Sequence, residues 1–277
     1  RQSGRTARAT FVIGPALGVG ARYYDPLAAA FAQAGVNAVV TELRGQHSSS
    51  LRASRRSDWG YEEAVRYDWP ALLASVRAEA GGTPIVLLGH SMGGHLSALH
   101  LGRVAGSAPE VAGDPQIAGD PQIAGLVIVA SGSTHFRGWP FPQNLGILLA
   151  TQLVAGVCKT LGYYPGARFG FGGLQARQEM LDWARTSRNG RYELKGSTVD
   201  DEAALARVTT PTWAFTFAGD RYAPPGSAAR LVGKLRSARV SMVHLGPADL
   251  PRECLHHFAW VRNPEPVVAR ILRETGF

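Results

Sequence analysis

The sequence predicts a doubly wound α/β fold: a mostly parallel sheet, helices on both faces, and a helical insertion near one edge. Three observations predict it. Six short apolar runs do not alternate polar and apolar residues, as expected when both faces of a parallel sheet are covered. Helical patterns lie between most of these runs. One long interruption, residues 131–211, is too long for a simple crossover.

The elements follow in order. Thr10–Gly14 is the first predicted strand. Arg1, Arg5 and Arg8 precede it in the manner of a signal peptide. But Gly14, Pro15, Gly18 and Gly20 break the apolar stretch, which suits a strand entering a loop. A helix is predicted over Asp25–Ala34, a strand over Val36–Leu43, and a helix over Tyr61–Ala80 with a break at Pro70. The strand Pro84–Gly89 leads into a helix over Ser91–Val104. Ala112–Ile123 repeats Ala-Gly-Asp-Pro-Gln-Ile, which reads as a duplication in a surface loop. After the strand Gly125–Ala130, the interruption carries its own helices at Leu145–Leu161 and Leu174–Thr186. It reads as a cap, leaving residues 1–130 and 212–277 as the core. Strands at Thr212–Ala218 and Val240–Leu245 and helices at Gly226–Arg236 and Glu265–Glu274 complete the pattern.

Composition bounds the function. The 277 residues suit one or two domains, and 45% hydrophobic with 18% charged residues excludes a disordered chain. Basic residues outnumber acidic ones 29 to 21, a net +8 that is nearly all arginine, since only Lys159, Lys195 and Lys234 are lysines. Arg52, Arg55 and Arg56 cluster in one loop but lack interleaved aromatics, so no nucleic-acid partner is expected and the charge reads as a solvated surface. Cys158 and Cys254 are too few for a zinc finger or disulfide framework, and two free buried thiols are expected. The longest apolar run, Leu145–Cys158, falls short of the ~20 residues of a membrane span, so no stable membrane insertion is expected. A cytoplasmic protein is the expectation, with secretion after removal of a leader as the alternative.

The chemistry concentrates at Gly89-His90-Ser91-Met92-Gly93-Gly94. Gly-x-Ser-x-Gly alone is a weak signal; strand, motif and helix in succession form the arrangement of a nucleophile elbow. The turn would lift the Ser91 hydroxyl to the C-terminal edge of the sheet. There, the N-terminus of the helix offers free N–H groups to a developing oxyanion. A serine needs a base, and the base an orienting carboxylate. Asp220, just past the strand Thr212–Ala218, sits on the same edge. His256 and His257 are both candidates for the base; His257 is preferred because Phe258-Ala259 follows it as a packing pair. The second oxyanion donor falls in the loop Gly14-Pro15-Ala16-Leu17-Gly18. Pro15 has no N–H, so Ala16 or Leu17 must donate, with Leu17 favoured and Met92 N–H as its partner. No cofactor or metal is implied: His90, His95 and His100 lack ligand spacing, and His90 reads as part of the elbow.

At these residues the sequence resembles the serine α/β-hydrolase superfamily, near the lysophospholipase and serine-aminopeptidase-like enzymes. The matching pieces include the Pro15–Gly18 loop, Leu43-Arg44-Gly45-Gln46-His47-Ser48, Asp58-Trp59-Gly60-Tyr61, the elbow, Leu161-Gly162-Tyr163-Tyr164-Pro165-Gly166, Asp182-Trp183-Ala184-Arg185, Asp220–Pro225 and His257-Phe258. The resemblance places the acid on Asp220 and the base on His257. Pro15-Ala16 stands where that family usually has His-Gly, and residues 1–9 leave no room for the two strands the family pattern places first.

The expected activity is hydrolysis of a carboxylic ester through an acyl-enzyme on Ser91. The apolar segment Leu145–Val157 with Phe169, Phe171 and Leu174 suggests a hydrophobic acyl or alcohol group in the small-molecule substrate. An acyltransferase or thioesterase would use the same triad. An aminopeptidase would need an acidic residue for the substrate amine, with Glu179, Asp182 or Glu193 as candidates. A non-enzymatic binding module is the remaining reading.

Overall fold

The computed structural model describes residues 7–106 and 123–277. The duplicated segment Ala112–Ile123 lies outside them except for Ile123, which opens a strand. The chain runs β1 (Thr10–Gly14), α1 (Asp25–Gln33), β2 (Asn37–Val40), α2 (Tyr61–Glu63), α3 (Trp69–Glu79), β3 (Ile85–His90), α4 (Met92–Gly106), β4 (Ile123–Val129) and α5 (Gln143–Leu161). It continues through β5 (Tyr163–Pro165), β6 (Leu174–Ala176), α6 (Arg177–Asn189), α7 (Asp201–Ala206), β7 (Thr212–Phe217), α8 (Pro225–Val232), β8 (Val240–Leu245) and α9 (Glu265–Thr275).

Six strands form one sheet in the order β2-β1-β3-β4-β7-β8, every neighbouring pair parallel. In the four central strands, β1, β3, β4 and β7, the apolar runs do not alternate because both faces are covered, whereas the edge strands β2 and β8 are partly exposed. Val12, Leu87, Leu126, Ile128 and Ala214 share a core with Trp69, Leu73, Leu96, Leu99 and Leu231 from α3, α4 and α8. Phe11, Ile13, Val86, Leu88, Val127 and Phe215 face the other way, onto Leu27 and Phe31 of α1 and Val267 and Ile271 of α9. Those last four side chains are wholly buried, each contributing roughly 1.5–3 kcal/mol relative to exposure.

Local chemistry explains where the elements depart from the sequence reading. Pro70 does not break the helix. Residues Ala64–Asp68 form a π turn in which Trp69 N–H reaches back to Ala64 O, and Pro70 falls in the first turn of α3, where its missing N–H costs nothing. Leu174–Ala176, predicted as the start of a helix, instead pairs antiparallel with β5, and α6 begins only at Arg177. Cys158 and Cys254 are free and buried; burial pushes the Cys158 thiol up to about 11.

Within residues 131–211, α5 and α6 pack against each other, tied by Thr151 Oγ1 to Ser187 Oγ at 2.9 Å and Gln152 Nε2 to Ala184 O at 2.9 Å. Further along, α7 lies against α4: Arg103 of α4 meets Glu62 of α2 at 2.6 Å and Asp201 of α7 at 2.7 Å.

Candidate active site

The turn between β3 and α4 is tight enough to dictate its residues. Ser91 sits at φ +52°, one of two non-glycine residues with positive φ among those described; the other is Ala130 at +48°, directly after β4. Their strands are neighbours, and the two turns interlock: Ser91 N–H reaches Val129 O at 3.3 Å and Ser131 Oγ donates to Ser91 O at 2.6 Å. A Cβ on Gly93 would lie 2.1 Å from Gly14 O, so only glycine lets the elbow pack against β1. Gly93 N–H donates to Pro15 O at 3.0 Å, docking the elbow on the loop after β1. Met92 is the first residue of α4, so its N–H stands outside the helix's own hydrogen-bond ladder.

The loop after β7 delivers the carboxylate. Asp220 Oδ1 accepts Tyr222 N–H at 2.8 Å and Ala223 N–H at 3.0 Å, which fixes the side chain. Its two oxygens lie 3.0 and 2.9 Å from His257 Nδ1, and the pair is buried. Nε2 is thereby the nitrogen of His257 left for other work. His257 and Ser91 line the same cavity. His256 is exposed, with Nδ1 3.2 Å from Gly219 O, so of the two histidines the structure brings only His257 to Asp220.

A buried network that the sequence reading did not find joins the two halves of the site. His90 Nε2 lies 2.9 Å from His257 O, and His90 Nδ1 lies 2.8 Å from Tyr24 Oη, which accepts Ala16 N–H at 2.8 Å. A carbonyl only accepts, so Nε2 carries the proton. Burial, with the His257 ring close by, holds the His90 pKa well below its ordinary value, so the ring is neutral. Nδ1 must then accept, and the Tyr24 hydroxyl donates to it. Burial raises the Tyr24 pKa as well, keeping the phenol protonated. One neutral histidine thus ties the loop after β1 to the backbone of His257. With the Ala16 N–H committed to Tyr24 and Pro15 lacking one, Leu17 is left as the candidate donor of this loop, and it lines the same cavity as Met92 and Ser91.

The cavity measures about 310 Å³. Ala16, Leu17, Met92, Trp139, Ile147, Val154 and Phe171 make its walls apolar, and among the described residues no Asp or Glu lines it. The three acids named for an amine lie elsewhere. Glu179 is buried beside Trp59, Tyr61 and Arg44, where burial, then the nearby Asp182, pushes its carboxyl up to about 8. Asp182 accepts from Gln178 and Tyr61 N–H, and Glu193 pairs with Arg191 at the surface. His95 lines the cavity but is held by Tyr192 at 2.9 Å, and burial lowers it to about 4. Among the described residues, no three His, Cys, Asp or Glu side chains are grouped to hold a metal.

These features carry a family assignment. The model of the alpha/beta hydrolase family matches residues 11–270, and the chain belongs to that family. It is therefore a hydrolase. A search of curated proteins finds no match. Among solved structures, the chain is similar to one reported with the metagenome-derived lipolytic enzymes LipS and LipT, at 17% identity, TM-score 0.58, covering 98% of this chain and 94% of the other. It is also similar to a monoacylglycerol lipase from Paleococcus ferrophilus, at 15% identity, TM-score 0.57, covering 98% and 96%. A third likeness is to an extracellular alpha/beta-hydrolase from a Paenibacillus species, at 12% identity, TM-score 0.56, covering 96% and 98%. At such identities the likeness is one of fold.

Proposed function

We propose that the protein is a serine-dependent carboxylic ester hydrolase with Ser91 as nucleophile, His257 as base and Asp220 as the orienting acid. The observation that carries this reading is the buried Asp220–His257 pair opening onto the same cavity as Ser91. His257 Nε2 takes the Ser91 Oγ proton as Oγ attacks the ester carbonyl. Leu17 and Met92 N–H groups hold the oxyanion. Asp220 stabilises the imidazolium, which returns the proton to the departing alkoxide. Water then enters, loses a proton to His257 and attacks the acyl-enzyme. The proton passes to Ser91 and the carboxylic acid leaves.

The substrate reading rests on the cavity. Its apolar walls favour a hydrophobic acyl group, and its volume lies at the small end of the roughly 300–1,000 Å³ of ligand pockets, which favours short to medium chains. An aminopeptidase would need a carboxylate at the cavity wall for the substrate amine, and the described residues of the lining include none. The test is a p-nitrophenyl ester chain-length series with Ser91→Ala as control. Turnover peaking at short to medium chains and abolished in Ser91→Ala is expected, with fluorophosphonate labelling lost in parallel. Undiminished turnover in Ser91→Ala would overturn the assignment.

A further inference from the structure

We infer that the outer face of α5 is a docking surface for an anionic lipid interface, from which an acyl ester reaches the Ser91 cavity; the inference rests on the ester-hydrolase reading above. Helix α5 spans 19 residues and is long and apolar enough, by length and composition, to cross a membrane. This exceeds the apolar run that marks it in the sequence. It does not stand alone as a span, because Thr151, Ala155 and Cys158 are buried and its inner side is hydrogen-bonded to α6. The outer side is the anomaly. A surface helix ordinarily turns charge to water. Here Phe141, Leu145, Leu149 and Leu153, four residues apart on one ridge, are 77%, 52%, 63% and 62% exposed. Between them the exposed positions are Pro142, Gln143, Gly146 and Ala150. A contiguous apolar ridge of this kind marks an interaction site.

Two observations select the occupant. First, the ridge is continuous with the cavity. Ile147, Ala150 and Val154 line it, and Ala150 is itself exposed, so the helix is apolar on the side facing the cavity and on the side facing out. Phe169, 61% exposed, extends the surface by stacking on Tyr164, which also lines the cavity. A chain leaving a lipid layer would therefore meet apolar surface all the way to Ser91. Second, the segment that carries the ridge is cationic, and Asp58, the acid beside the buried Cys158, is paired with Arg177 at 2.9 Å. No Asp or Glu occurs between Asp120 and Glu179, whereas Arg137, Lys159 and Arg168 do. All three are exposed, and Arg55 closes the end of α5 by donating to Leu161 O at 3.0 Å. An apolar ridge edged by cations fits an anionic interface, where the helix lies in the plane of the surface without crossing it. A second copy of this chain would bring the same cations and the same +8 against it.

The test is flotation of the full chain with phosphatidylcholine vesicles containing roughly one-third phosphatidylglycerol. The wild type should float with these vesicles, and less with phosphatidylcholine alone. The double variant Leu149→Asp/Leu153→Asp should lose about tenfold or more of its partition, and Lys159→Glu, which keeps the ridge, should lose a smaller part on the anionic vesicles alone. Both variants should retain wild-type circular dichroism and hydrolyse a soluble short-chain ester at the wild-type kcat/KM. A wild type that stays at the bottom of the gradient, or a double variant that floats as well as the wild type, overturns the proposal. So does a wild-type dimer in size exclusion that the double variant converts to monomer, which would assign the ridge to a second copy. Flotation is read without catalysis, so failure of the Ser91 assignment would appear as absent turnover with flotation intact.

Discussion

Removing one oxygen from the Tyr24–His90 network separates a positioning role from simple packing. In Tyr24→Phe the ring stays and the hydroxyl goes, leaving Ala16 N–H and His90 Nδ1 without their partner at a position that is 0% exposed. Water cannot replace the oxygen there. Each orphaned group costs roughly 1–3 kcal/mol, so a destabilisation of about 3 kcal/mol is expected. For a protein of this size that corresponds to a fall of roughly 6–12 °C in Tm. The neighbouring Tyr23 provides the control. Its hydroxyl donates to Phe258 O at 2.8 Å in an exposed setting, so Tyr23→Phe should cost below about 1 kcal/mol. The activity should respond as well. Ala16 precedes Leu17, and freeing its N–H loosens the loop that carries the proposed second oxyanion donor. A drop of about tenfold in kcat with KM nearly unchanged is expected. The assays are thermal unfolding of both variants and steady-state hydrolysis of a p-nitrophenyl ester. If Tyr24→Phe melts within a degree or so of Tyr23→Phe and keeps the wild-type kcat, the network neither stabilises the fold nor positions the donor.

Three further outcomes follow from the same geometry. Asp220→Asn keeps two acceptor-side contacts to the loop but no longer charge-stabilises His257, so kcat should fall by about 10³–10⁴-fold with little change in circular dichroism. Gly93→Ala forces a methyl group to within 2.1 Å of Gly14 O; a loss of about 3 kcal/mol or more, measured by urea unfolding, is expected. Glu179 has its carboxyl pushed up to about 8 by burial. The folded state therefore binds more protons than the unfolded chain between pH 4.5 and about 8, and stability from this group is full below that window and falls as pH rises through it. Glu179→Gln should flatten the decline of Tm across that range.

Much of the sheet was legible because its physics is local. A strand covered on both faces is apolar nearly throughout, as at Thr10–Gly14, buried at all five positions; the run at Val240–Leu245 also matches its strand residue for residue, although at this edge Ser241, Met242 and His244 are exposed. The elbow was legible because a sharp turn between a strand and a helix leaves glycines at fixed places. Asp220 and His257 were singled out by their chain order and their position past strand ends, and the structure brings the two together. The hairpin β5–β6 was not legible, since strands of three residues carry no periodicity. Nor was the π turn, because the sequence shows Pro70 but not the slack upstream that accommodates it. The Tyr24–His90–His257 network links residues far apart in the chain through single atoms, and no local pattern encodes such contacts. The charge-free outer ridge of α5 was present in the sequence as an apolar segment, but only exposure distinguishes a ridge from a core.

The backbone at Ser91 and Ala130 sets two demands against each other. Both residues hold a conformation that costs an L side chain on the order of 1–3 kcal/mol, and they stand side by side at the ends of adjacent strands. A glycine at position 91 would suit the chain better than the serine that occupies it. In the reading proposed above, strain is held at the one place where a hydroxyl is useful, so relieving it at position 91 would remove the proposed nucleophile.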